Sequence, residues 1–90
     1  MTRKDDPLAM KKMDAWLNEV NSLLGLEPTL IATYQKPLLE LISTIAHGPS
    51  RPGAPLTAFL LGYASAQSNE DPAKLASKLE DLAANFSFSE

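Results

Sequence analysis

The chain has no cysteine. Disulfide staples, thiolate metal sites and cysteine nucleophiles are therefore excluded, and a reducing cytoplasm is a compatible setting. It has one histidine, His47, which is too few for a multi-histidine zinc site. A surplus of basic charge is missing too: the formal net charge is −3, whereas a general nucleic-acid binder needs a concentrated basic face. Arg3, Lys4, Lys11 and Lys12 gather near the start, but Asp5 and Asp6 dilute them. No apolar run approaches the roughly 20 residues of a membrane span, and the amino terminus lacks the apolar core of a signal peptide. These absences predict a soluble, cytoplasmic protein without nucleic acid or membrane among its partners.

Charge is scarcest in the middle. Between Pro28 and Gln67 the charged residues are Lys36, Glu40 and Arg51, with His47 as a further titratable group. Helices with so few charges must be covered, by each other or by a partner. The whole is ordinary globular material, 44% hydrophobic and 21% charged over 90 residues, enough for one core and one domain. The expected organisation is an amino-terminal extension and helix start at 1–12, a single helical domain at 13–86 and a frayed tail at 87–90.

No segment alternates with period two over a useful length, so no strands are expected. The spacing predicts an all-α fold, a compact bundle of four main helices joined by short connections. The first, about 7–24, opens at Asp6-Pro7, an N-cap followed by a proline in the first helical position. Met13, Trp16, Leu17, Val20, Leu23 and Leu24 recur at helical steps as a buried stripe, with Trp16 read as core, and Gly25 closes the helix. The second region carries Leu30, Ile31, Tyr34, Leu38, Leu41, Ile42 and Ile45. An interior proline costs about 3 kcal/mol or more, so Pro37 favours a short helix at 28–35 followed by a new one at 37–47, with a single kinked helix as the alternative. The third helix, 55–67, opens at Pro55, with a stripe of Leu56, Phe59, Leu60, Tyr63, Ala64 and Gln67. The fourth, 72–86, repeats the Asp-Pro opening at Asp71-Pro72 and carries Leu75, Leu79, Leu82, Ala83 and Phe86.

Chemistry-bearing patterns are few. There is no Gly-rich phosphate loop and no G-x-S-x-G turn. Ser43, Ser50, Ser65 and Ser68 would have only His47 to share, and Glu80 and Asp81 diverge on a helix. No catalytic constellation forms, so a non-enzymatic role without cofactor or metal is expected. The stretch A46-H-G-P-S-R-P-G-A-P55 is the one candidate site. Ala54 is expected as the N-cap of the third helix, and its methyl group cannot accept from the amides of Leu56 and Thr57. Open amides near Arg51 and His47, with the Thr57 hydroxyl, would suit an anion or a partner's carboxylate. The plainer reading has His47 on open carbonyls of its own helix end, Arg51 paired with Glu40 or on those carbonyls, and the prolines forming a stiff corner. The small residues Ala58, Gly62 and Ala66 would seat another helix of the same chain or form a dimer contact; the first is preferred, because a short chain needs its apolar stripes for its own core.

The spacing A-H-x-x-x-R-P-x-A-P-x-T-x-F-L-x-G is made by Ala46, His47, Arg51, Pro52, Ala54, Pro55, Thr57, Phe59, Leu60 and Gly62. It follows W-L at Trp16 and Leu17 and precedes a final amphipathic helix. This arrangement resembles a small actinobacterial family of helical domains of unknown function, over about residues 13 to 86. Members of that family lie beside, or are fused to, molybdenum cofactor guanylyltransferases, which join a guanine nucleotide to molybdopterin. The resemblance implies an accessory role in that biosynthesis and a guanylyltransferase, or another protein of the pathway, as partner. It transfers no catalytic residue. The segment before Met13 and the interruption at Pro37 depart from the family pattern. A general helical interaction or dimerisation module, and an anion- or nucleotide-binding domain at the Arg51 corner, are the alternatives.

Overall fold

A computed structural model describes residues 7–88. Among them are four α-helices and no strand: α1 (Pro7–Leu24), α2 (Leu30–His47), α3 (Gly53–Ser68) and α4 (Pro72–Asn85). The fold class is all-α, as the spacing predicts. The expected cap at Asp6, residues 1–6 of the extension at 1–12 and the end of the tail at 89–90 lie outside the described residues, while residues 7–12 are the start of α1. The chain divides into two units, Met1–Thr33 and Tyr34–Glu90.

In the first unit, α1 ends where glycine predicts. Gly25 has φ +67°, and its amide donates to the Ser22 carbonyl at 3.1 Å while that of Leu26 donates to Asn21 at 3.0 Å. That pair of bonds is the Schellman closure, which needs a left-handed residue that glycine adopts without steric cost. Asn21 locks the following loop. It is 8% exposed and its Nδ2 donates to the Glu27 carbonyl at 2.6 Å. The stripe expected to be core is not enclosed: Met13, Leu17 and Val20 are half-buried, but Trp16 is 65% and Leu23 86% exposed.

Pro37 does not break the second region. α2 runs unbroken from Leu30 to His47 with Pro37 inside it. The expected pair of helices, 28–35 and 37–47, is corrected to one. Proline forfeits one amide, the donor to the Thr33 carbonyl, and Thr33 is exposed, so water can take that acceptor. Downstream, Leu38, Leu41, Ile42 and Ile45 all join the core, and their burial outweighs the lost bond. The unit boundary falls beside that unpaired carbonyl, between Thr33 and Tyr34.

The second unit holds the core. Leu41, Ile45, Ala54, Leu61 and Ala76 are buried, and Leu38, Ile42, Ala46, Leu75, Leu79 and Ala83 pack against them. Of the stripe expected on α4, Leu75, Leu79 and Ala83 pack on the core, whereas Leu82 is 62% exposed and Phe86, 52% exposed, follows the helix end at Asn85. The start of α4 is capped as read: the Asp71 carboxylate accepts from the Ala73 amide at 3.0 Å, with Pro72 following. α3 differs most from expectation. Ala54 and Leu61 are its buried residues, whereas Leu56, Phe59, Leu60 and Tyr63, predicted to face inward, are 58–65% exposed. The reason lies in composition: α3 is apolar on both sides, so spacing alone does not select the buried one. Ala54 and Leu61 join Ala76 of α4 in the core cluster, the two alanines being small residues that leave room around Leu61.

Candidate functional site

The corner between α2 and α3 is built from local hydrogen bonds. Gly48 donates to the Ile45 carbonyl at 3.2 Å, and Ser50 donates to the same carbonyl at 3.0 Å. Between them Pro49 has no amide, so the closing bond falls to Ser50. Pro52 then takes helical angles, φ −69° and ψ −17°, and α3 begins at Gly53. The Gly53 amide donates to Ser50 Oγ at 3.1 Å, and the Ala54 amide to the Arg51 carbonyl at 3.2 Å.

This geometry corrects the expected N-cap. Pro52, not Ala54, precedes the helix, and Pro55 occupies its third position. The third residue of a helix needs no amide bond either, so proline marks the first turn rather than its first residue. Leu56 and Thr57 lie beyond the open turn, where amides donate to carbonyls four residues back. They offer an anion nothing, and the Gly53 and Ala54 amides are already engaged. The Thr57 hydroxyl donates to the Gly53 carbonyl at 2.8 Å.

The other candidates are distributed rather than convergent. His47 Nδ1 sits 2.8 Å from the Ser43 carbonyl, one turn back in its own helix and short of the open carbonyls at the helix end. Arg51 is exposed. Among the described residues Lys78–Glu70, at 3.1 Å, is the one ion pair, so the expected Arg51–Glu40 pairing is not formed and the guanidinium stands unpaired. Ala54 is buried in the core and Leu56 is 65% exposed. Ala58 is half-buried, and Gly62 and Ala66 are exposed. A Cβ placed at Gly62 would meet nothing within 4 Å, so no helix of the second unit seats on Gly62.

Thr57 does border an opening. Beneath the corner lies a cleft of about 180 Å³, entirely within the second unit. One wall is the corner itself, at Pro49, Ser50 and Gly53; Ile45 and Thr57 form the floor, and the end of α4 closes it with Leu79, Leu82 and Phe86. Of the two hydroxyls that reach it, that of Thr57 donates to the Gly53 carbonyl, and Ser50 Oγ accepts from the Gly53 amide. The cleft is thus mostly apolar, with an unpaired cation in the Ser50–Gly53 turn. The α4 wall was missed by sequence reasoning. Leu79, Leu82 and Phe86 were legible as a stripe, but nothing in their spacing says that the stripe outruns the core and ends at the corner. Among the described residues no three His, Cys, Asp or Glu side chains gather to hold a metal, and no helix is long and apolar enough to cross a membrane.

Comparison with known families matches the chain to the domain of unknown function DUF6457, across residues 8–89. The chain belongs to the DUF6457 family. The match covers α1 to α4 and the corner, so the DUF6457 domain includes both units. No curated protein and no solved structure matches the chain.

Proposed function

We propose that this DUF6457 domain is a non-catalytic accessory that works by docking on another protein, and that the protein is a guanylyltransferase of molybdenum cofactor biosynthesis. The observation that carries the docking reading is the cleft at the α2–α3 corner. Its lining is mostly apolar, and the Thr57 hydroxyl already donates within the chain, which suits an apolar side chain of a partner. Its volume, about 180 Å³, is near that of an engineered apolar cavity of roughly 150 Å³ that accepts benzene. Arg51, unpaired in the same turn, adds a cation for an acidic group beside that side chain. The pathway rests on the resemblance of the Ala46–Gly62 motif to domains found beside guanylyltransferases.

The test is calorimetry between the purified domain and the guanylyltransferase from the same cell. Wild type should bind. Leu82→Glu, which puts a charge on the cleft wall, should weaken binding at least tenfold, and Arg51→Ala should weaken it less and reduce its salt dependence. Absence of wild-type binding would remove the named partner. Binding unchanged in Leu82→Glu would remove the cleft.

A further inference from the structure

On the opposite side of α3 from its buried face, we infer a surface for a second copy of this chain. The premise is a helix with no dry side to spare. From Gly53 to Ser68 there is no charged residue. Ala54 and Leu61 face the core, while Leu56, Phe59, Leu60 and Tyr63 recur at three- and four-residue steps on the outside. At 100° per residue those four point almost directly away from Ala54 and Leu61, with Gly62 and Ala66 beside them. A helix that is apolar all round is one that is covered all round.

The area fits a second copy. The four side chains are 65%, 64%, 64% and 58% exposed, leaving on the order of 500 Å² open for groups of this size. That lies near the top of the range for the largest apolar patch on a monomer, about 300–600 Å². Two copies would bury roughly 1,000 Å² from these side chains alone, which reaches the size of a specific interface. A two-fold contact must be self-complementary, since each residue meets the same patch on its partner. An uncharged stripe meets this condition without placing like charges together. Phe59 and Tyr63 already lie against each other at a ring separation of 6.1 Å and a tilt of 41°, so their rings present one aromatic surface. The open space at Gly62 allows a partner helix to come close. This face is separate from the cleft used in docking, so either reading can fail alone.

Sedimentation equilibrium of the full chain, over micromolar to high micromolar concentration, decides the matter. Wild type should sediment at twice the mass of one chain. Leu60→Glu should sediment as a monomer with its helical circular dichroism intact. Gly62→Arg guards against a folding artefact: nothing lies within 4 Å of the position its Cβ would take, so the single chain accommodates it. It should weaken the dimer at least tenfold, because the added side chain stands where the partner helix approaches. A wild-type monomer at every concentration overturns the inference. A dimer that both variants leave unchanged also overturns it.

Discussion

Leu60 and Leu61 are neighbours with the same side chain, yet one is 64% exposed and the other 4%. A single step of about 100° around the helix separates them, and that step decides what each contributes. Leu61 belongs to the small core, so Leu61→Ala should lower the unfolding free energy by about 2–4 kcal/mol, read by urea titration. Capping residues act more locally. Asp71→Ala removes the acceptor for the Ala73 amide and should cost about 1 kcal/mol. Gly48→Ala should cost a comparable amount, because its Cβ would lie 2.9 Å from the Thr44 carbonyl oxygen, a backbone atom that cannot easily move. By contrast, Lys78→Ala should change stability by less than about 0.5 kcal/mol, since both partners of its pair with Glu70 are solvent-exposed.

At the scale of elements, most helix ends were legible because each was marked by a residue with one physical use. Gly25 closes α1 in the left-handed conformation, and Asp71-Pro72 opens α4. Proline misled twice, for the same reason. It states that an amide is absent, not where a helix stops. At Pro55 the absent amide falls in the first turn of α3, two residues inside its start. At Pro37 it falls mid-helix, and tertiary burial of the residues beyond it keeps α2 whole. Pro37→Ala should therefore restore the bond to the Thr33 carbonyl and raise stability by about 1–3 kcal/mol, seen as a higher melting temperature. A fall on substitution would mean that the ring's own packing outweighs the bond. The face of α3 was not legible, since apolar residues lie on both sides and only the partners across the core choose between them. The candidate site shared this limit: His47, Arg51 and Thr57 could be named from the motif, but Leu79, Leu82 and Phe86 reach the corner only through the packing of α4.

For the whole molecule, stability is unevenly held. Among the described residues the five buried apolar side chains belong to the second unit, while the buried residue of α1 is the polar Asn21. Native-state hydrogen exchange should accordingly show the slowest amides in the Leu41–Ala46 stretch of α2 and around Leu61 and Ala76. Amides of α1 should exchange well before them. Among the described residues fourteen large hydrophobic side chains are exposed, Trp16, Leu23 and Phe88 among them, and the docking and self-association proposed above would each cover part of that surface. Fold class follows from helical spacing alone; what covers those faces does not, because a stripe reads the same whether its partner lies in the same chain or another.

The central claim is that α3 turns Ala54 and Leu61 inward and its bulky stripe outward. Far-ultraviolet circular dichroism with thermal melting, applied side by side to Leu60→Glu and Leu61→Glu, tests it most directly. A glutamate at Leu61 would bury an unpaired charge, so that variant should lose its cooperative melt and much of its helical signal. A glutamate at Leu60 faces outward, so that variant should keep its helical signal and a cooperative transition. The reverse order, with Leu61→Glu folded and Leu60→Glu not, would contradict the account.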